Sequence, residues 1–468
     1  MDLARIRGED HALNRRQFLA CSRFTETLLP IDFGLALAQM ALTRRDWIKL
    51  TGNAVLAASL PRPLSAAAGA TPGMYPLIRD DEKPMFDLPG QIKTPVVVES
   101  VEMLQRGRNF FVRTRSKDGA VGITGTKQVE NFIPIFQHLV APYFIGKDAR
   151  DLESLIDFVY RENYKLAGIP FWAPVAYVEQ SLLDLLGKIA GKPVGALLGG
   201  RIRDEIPVYL SGSDRVLSAE EEVAVYERGV HETGATAVKF KIGGRMSRNL
   251  DKYPGRTETL LARAREKLGD KTILRADANG SYDVANGIRI GRLMESLDYD
   301  FFEEPCPFEE LSETQTVAKV LRIPIAFGEQ NYSLWQFDWM LRNGVMQIVQ
   351  PDINYNGGLI RAKRVARIAE ALGRTIVPHN TQTGATSVNI LQFASCTKNA
   401  TPLMEYPWRA PQKKPTWYGP DFTIAQGKIR VPDTPGMGVE FDPEFLKDAI
   451  VLVKIDQPAK GDSTGSGG

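Results

Sequence analysis

From residue 206 onward the chain repeats one pattern eight times: a short apolar, β-branched run of strand length, then a stretch with helical spacing. The runs fall at 206–210, 237–241, 272–277, 301–303, 325–329, 347–352, 375–379 and 402–405. Helix-like segments fill the gaps, among them 219–231, 256–268, 284–297, 359–372 and 387–396. Strands that read as apolar throughout are covered on both faces, which parallel strands crossed by helices achieve. Eight such units in about 200 residues describe a (β/α)8 barrel whose last helices are irregular.

The polar residues of these runs sharpen the reading. Successive strands end in Lys241, Asp277, Glu303, Glu329, Asp352, His379 and Glu405, at spacings of 36, 26, 26, 23, 27 and 26 residues. Parallel barrel strands finish at one rim, and that rim is where barrel enzymes place their chemistry. A lone carboxylate after a strand is ordinarily a helix cap. Seven titratable groups at matching positions make that reading improbable.

Asp277, Glu303 and Glu329 close three consecutive strands, so their oxygens can converge on one hard cation. Oxygen-only ligation favours Mg2+, with Mn2+ as second choice, over zinc. Lys239 and Lys241 are two apart on one strand and point to the same side of it. Asp352 and His379 end adjacent strands, where the carboxylate can hydrogen-bond one imidazole nitrogen and raise the basicity of the other. A metal flanked by a lysine and a His-Asp pair suits proton abstraction next to a carboxylate, with positive charge placed where negative charge develops. Lys241 must be neutral to accept that proton, and crowding by Lys239 and the metal is expected to lower its pKa.

Composition excludes several other classes. Lys+Arg at 58 against Asp+Glu at 56 leaves a formal charge of +2, without the basic excess of a nucleic-acid binder. Three cysteines, Cys21, Cys306 and Cys396, form no CxxC pair, and Cys306 reads as a packed thiol. The chain contains no apolar run of 18 residues, so stable membrane insertion is not expected. A 43 % hydrophobic content over 468 residues supplies a large core.

Residues 1–75 have leader composition. Thr43-Arg44-Arg45-Asp46-Trp47-Ile48-Lys49-Leu50 is a twin-arginine-type string, followed by a weakly apolar stretch and by Ala66-Ala67-Ala68-Gly69-Ala70, suited to a signal peptidase. Export to the periplasm is therefore expected. Met40 precedes this string and offers an alternative start, while Arg15-Arg16-Gln17-Phe18-Leu19 is a second string of the same kind.

Residues 90–205 form a separate α+β block. Strands are expected at 96–100, 109–114 and 121–126, with Lys117-Asp118-Gly119 as a turn. A regular helix over 173–190 stops at Gly191-Lys192-Pro193. The barrel is bounded at 206–412, a strand-like segment follows at 413–455, and 456–468 is a flexible, Ser/Gly-rich tail.

From about residue 95 to 443 the chain resembles the mandelate racemase subgroup of the enolase superfamily. The resemblance is carried by Val238-Lys239-Phe240-Lys241, Asp277-Ala278-Asn279, Glu303-Glu304-Pro305, Gly328-Glu329, Asp352 with Gly357-Gly358 behind it, Pro378-His379 and Glu405-Tyr406. It implies a modified (β/α)8 TIM barrel, α/β in class, with the 90–205 block as a capping domain that the 413–455 segment completes. It also implies Mg2+-assisted enolisation of a carboxylate substrate, with Asp277, Glu303 and Glu329 on the metal and Asn279 beside it. Lys241 is then the base on one face and His379, oriented by Asp352, the base or acid on the other. Lys239 would bind the substrate carboxylate, and Glu405 would hydrogen-bond the enolate oxygen. Ser211 is a weaker match to a substrate contact, and Glu304 is expected to point behind the ligands. A capping-domain loop within 103–111 is expected to cover the mouth.

Outside the resemblance, Trp408 is expected to line the pocket, whereas Tyr332, Trp335 and Trp339 read as a buried helix stripe. The same catalytic set supports two reactions. A hydroxyl β to the carboxylate would leave, giving a 2-keto-3-deoxy acid from an acid sugar; without a leaving group, the proton is exchanged between faces, giving racemisation or epimerisation. A third alternative is an exported carboxylate-binding protein without turnover. By analogy with other barrels, an even-numbered homo-oligomer is expected.

Overall fold

A computed structural model describes residues 84–127, 130–212, 215–408 and 416–459. The leader, with its twin-arginine strings, Met40, Cys21 and the alanine segment, and the tail from 460 lie outside the described residues.

The first block opens with an antiparallel meander of β1 (Val98–Arg106), β2 (Asn109–Ser116) and β3 (Val121–Thr126). The expected strand at 96–100 runs on to Arg106, and both of its faces are covered. Val101 and Met103 belong to the main core, whereas Leu104 packs with Phe111 and Ile123 against Trp417, Phe441 and Phe445. Glu102 and Arg113 pair across the two strands at 2.6 Å. Residues 103–111 are therefore a tight hairpin with Gly107 at its turn, φ 58°, and not a loop over the barrel mouth.

The helix Ile169–Ala190 begins four residues earlier than expected and is buried on nearly every side. It packs on β2 and β3. At Gly122 a Cβ would lie 1.9 Å from the Ser181 carbonyl oxygen, so only glycine lets the strand and helix approach this closely.

Eight parallel strands follow: β4 (Glu205–Ser211), β5 (Ala237–Lys241), β6 (Ile273–Asp277), β7 (Phe301–Glu303), β8 (Ile325–Phe327), β9 (Ile348–Val349), β10 (Thr375–Ile376) and β11 (Met404–Pro407). Each pairs with its sequence neighbour from β4 to β10, and β11 returns to pair with β4. A parallel bridge between Ile376 and Ala400 carries the ring across its remaining gap. Helices Ala219–Thr233, Arg256–Leu268, Val284–Ser296, Leu311–Val320, Leu334–Arg342, Leu359–Ala371 and Val388–Ser395 cover the outside. Local chemistry sets their limits. Ser218 and Glu221 form a capping box at the first, and Gly255 and Gly269, both at positive φ, bracket the second.

After β11 the chain runs through β12 (Tyr418–Gly419), β13 (Lys428–Arg430), β14 (Glu440–Phe441) and β15 (Ile450–Ile455). β13 adds antiparallel to β4, and β15 adds antiparallel to β1. The C-terminal segment is thus shared between the barrel and the first block. No helix among the described residues is long and apolar enough to cross a membrane.

The expected buried helix stripe fails, since Tyr332 is half-buried and precedes the helix Leu334–Arg342, whereas the packed-thiol expectation holds. Trp335 and Trp339 are 43 % and 40 % exposed, because the helix Leu334–Arg342 turns Leu334, Phe337, Met340 and Leu341 inward and leaves these two on its outer face. Cys306 is fully buried, and burial pushes its thiol up to about 12, in keeping with a packed thiol.

Candidate active site

The strand ends meet at the rim of the barrel. Oxygens of Asp277, Glu303 and Glu329 lie within 4.8 Å of one another, and all three residues are buried. Three converging carboxylates, none lost to solvent, are a donor set that fits a hard divalent cation. Asn279 stands beside them, its Nδ2 3.2 Å from Asp277 Oδ2 and 3.4 Å from Glu329 Oε1, at a φ of 43°. Gln350 Nε2 donates to Glu303 Oε2 at 2.9 Å.

Two lysines balance this charge at different depths. Lys241 Nζ donates to Asp277 Oδ2. Lys239 is completely buried and donates to both oxygens of Glu303, at 2.8 and 2.7 Å, with Glu405 Oε1 at 2.8 Å. Burial lowers the Lys241 pKa, but the Asp277, Glu329 and Glu303 carboxylates together outweigh it and hold the ammonium above its ordinary range. The expected depression rested on Lys239 and a bound metal together; Lys239 does lower the Lys241 pKa, though less than the Asp277 carboxylate raises it. Asp277 is held low: burial raises it, but Lys241 and Lys239 outweigh that. Burial, reinforced by Asp277, pushes Glu303 up to about 8. Glu304 is also fully buried and raised by burial and by the Glu329 charge. Its carboxylate meets Asn279 Nδ2 at 3.3 Å, so it turns toward the site instead of away from it.

His379 and Asp352 close the opposite side. His379 Nδ1 lies 3.0 Å from Asp352 Oδ2, and its Nε2 lies 3.2 Å from Glu329 Oε2. Burial lowers the imidazole pKa, but the Glu329 charge and the Asp352 hydrogen bond raise it further, for a net rise. Glu405 Oε2 accepts from the Asn380 backbone N–H at 3.0 Å.

A cavity of about 840 Å³ opens above these groups. Ser211, Lys241, Asn279, Glu329, His379, Glu405 and Trp408 line it, together with Glu304, Arg245, Tyr355 and Phe422. Lys239 is not among the lining residues. Two residues along a strand is roughly 6.6 Å, so Lys239 sits one layer below the rim that Lys241 reaches and braces Glu303 and Glu405 from beneath. No residue of 103–111 lines the cavity; its walls come from barrel loops and from 422–424.

Sequence reasoning missed the groups that tie the first block to the site. Lys127, directly after β3, donates to Asp352 Oδ2 at 2.8 Å. Gln180, in the helix Ile169–Ala190, donates to Asn354 Oδ1 at 2.9 Å. The one available signal was a lysine closing an otherwise neutral strand, and that signal names no partner.

Comparison with known proteins agrees with this geometry. The profile of the mandelate racemase / muconate lactonizing enzyme N-terminal domain matches residues 85–199, and that of the enolase C-terminal domain-like family matches 221–445. An arabinonate dehydratase of Saccharolobus solfataricus is 28 % identical over 306 residues, 64 % of this chain and 79 % of the relative. A D-galactonate dehydratase of Variovorax paradoxus is 30 % identical over 322 residues, 67 % and 82 % of the two chains. A D-galactarolactone cycloisomerase of Agrobacterium fabrum is 30 % identical over 334 residues, 68 % and 83 %. Among solved structures, the mandelate racemase/muconate lactonizing protein from Paracoccus denitrificans complexed with magnesium is 30 % identical. It superposes with a TM-score of 0.71, covering 76 % of this chain and 99 % of that one. The chain is an enzyme and belongs to the mandelate racemase/muconate lactonizing enzyme group of the enolase superfamily.

Proposed function

We propose that this enzyme removes the proton α to the carboxylate of an acid sugar and expels the β-hydroxyl, giving a 2-keto-3-deoxy acid. One observation carries the reading: Lys241 and the Asp352-supported His379 line one cavity from β5 and from the end of β10, with the Asp277, Glu303, Glu329 cluster between them. Mg2+ bound by those three carboxylates supplies positive charge where departure of the α-proton leaves negative charge.

The chain's own residues do the rest. Lys241 Nζ takes the proton on its side once released from Asp277. With Nδ1–H donated to Asp352, the His379 Nε2 atom faces the cavity and delivers a proton to the leaving hydroxyl. Glu405, held by Asn380, is placed to hydrogen-bond the substrate oxygen. Buried Lys239 keeps Glu303 and Glu405 apart in charge and fixed in position. Ser211, Asn279 and Trp408 complete the wall against which the sugar chain lies. The dehydratases among the relatives support an aldonate, such as arabinonate or D-galactonate, as substrate class.

The same two opposed groups support a second reading, racemisation or epimerisation without elimination. Proton NMR in D2O separates them, using protein, Mg2+ and a panel of aldonates and aldarates. Dehydration predicts deuterium at C3 of a new 2-keto-3-deoxy product. Epimerisation predicts α-deuteration with a second epimer and no keto product. Absence of α-exchange with every acid, in Mg2+ and in Mn2+, would sink both.

A further inference from the structure

The two sides of the site are built differently. On the Lys241 side every hydrogen-bond partner comes from the barrel. Lys241 meets Asp277, Asp277 meets Asn279, and Asn279 Oδ1 accepts from Arg215 at 2.9 Å. Among the described residues, no hydrogen bond reaches Lys241, Asp277 or Asn279 from the capping domain.

On the His379 side the capping domain reaches in twice. Asp352 Oδ1 accepts from the backbone N–H groups of Asn354 and Tyr355, at 2.9 and 3.1 Å. Its Oδ2 is shared between His379 at 3.0 Å and Lys127 at 2.8 Å. The Lys127 ammonium also lies 4.2 Å from the centre of the Tyr355 ring. Gln180 holds Asn354, and Asn354 Nδ2 holds Gln382 Oε1 at 2.8 Å. The Lys127 side chain is only 16 % exposed. A lysine taken this far out of water at a domain junction is costly unless its charge is used, and a neutral residue would serve packing as well.

We propose that Lys127 is a positioning residue. Its ammonium pins Asp352 so that the carboxylate fixes the ring orientation and tautomer of His379, and the capping domain thereby sets one face of the active site while the barrel alone sets the other. The inference rests on the two-sided reading of the site given above. Lys127 touches neither the cavity nor the carboxylate cluster; it acts through Asp352, in the way that outer partners orient a functional imidazole.

The test is stereochemical. D-galactonate and its C2 epimer present their α-protons to opposite faces, and exchange into D2O is followed for each with Mg2+ present. K127M keeps the aliphatic stem and removes the charge. Exchange of the epimer facing His379 is expected to fall on the order of 10- to 100-fold, with the Lys241-side epimer within about twofold and K127R restoring most of the loss. Retained Lys241-side exchange also reports an intact fold. An equal fall on both faces, or no change on either, overturns the proposal.

A second readout needs no turnover. The hydrogen-bonded Nδ1–H of His379 is observed by proton and nitrogen NMR, assigned through H379N. Its low-field signal is expected to be lost in K127M and kept in K127R; persistence in K127M overturns the proposal. If the wild-type protein exchanges no α-proton at all, the proposed reaction falls, and this signal alone decides the role of Lys127. K127Q carries the same measurements where K127M does not purify.

Discussion

Depth along a single strand separates the roles of Lys239 and Lys241. Their shared direction was readable from the even spacing, and the strand end put Lys241 at the rim, but the pairing of Lys239 with Glu303 and Glu405 was not, because those partners sit on other strands. Lys239 is fully buried with Glu303 and Glu405, so K239M strands two carboxylates out of water. Breaking a buried ion pair in this way costs about 3–5 kcal/mol, and urea unfolding of K239M is expected to show a loss of that order even without substrate. H379N should behave differently. It is expected to unfold near the wild-type midpoint, to keep α-proton exchange on the Lys241 side, and to form no keto product in the D2O assay. For the cluster itself, E329Q is expected to weaken Mg2+ binding by an order of magnitude or more, read by calorimetric titration of the purified protein. Asp277, Glu303 and Glu329 were legible because Asp277 and Glu303 end β6 and β7 in register and Glu329 follows β8 by two residues, a recurrence that the spacing of about one strand-helix unit exposes directly. Lys127 was not, since its partner lies 225 positions away and no local pattern joins them.

Element boundaries follow the same division between local and distant causes. The helix Arg256–Leu268 stands where its flanking glycines place it, whereas β9 and β10 shrink to two residues each. The missing halves of those runs, 350–352 and 377–379, leave the ladder and pair through the Asp352–His379 bridge, with His379 lining the cavity and Asp352 buried behind it.

The helix Leu359–Ala371 depends on a partner in another domain. Glu179 accepts from the backbone N–H groups of Leu359 and Ile360, at 3.0 and 2.7 Å. A Cβ at Gly358 would strike that carboxylate at 2.5 Å, at a φ of 113°, so the helix start requires glycine. E179A leaves both donors buried and unpaired, at about 1–3 kcal/mol each. Burial pushes Glu179 up to about 8 from the ordinary 4.5. The folded state therefore binds a proton more readily than the unfolded chain. The contribution of this group is most favourable below pH 4.5 and is lost progressively as pH rises to about 8. The difference in unfolding midpoint between wild type and E179Q, measured at pH 6 and pH 9, should accordingly shift in favour of E179Q at the higher pH.

For the whole molecule, the barrel class was legible because its repeat is periodic, and the return of the C-terminus to the first block came from the resemblance, since strand pairing between residues 101 and 455 leaves no mark in local sequence. The export reading remains a proposal resting on the string at 43–50. Replacing Arg44 and Arg45 by lysine in the full chain is expected to shift the protein from the periplasmic to the cytoplasmic fraction of a Gram-negative host, with the activity of the purified enzyme unchanged.

The pairing of β15 with β1 has a bearing on how the protein is made. During translation, β1 through β3 emerge first and wait, with one edge bare, while more than 300 further residues are added. The sheet that carries Lys127 is completed only when the last strand leaves the ribosome. A prematurely terminated product could close most of its barrel, yet it would lack the edge strand of its capping sheet. Full-length synthesis is in this sense a checkpoint built into the topology, and it falls on the domain that steadies one face of the chemistry.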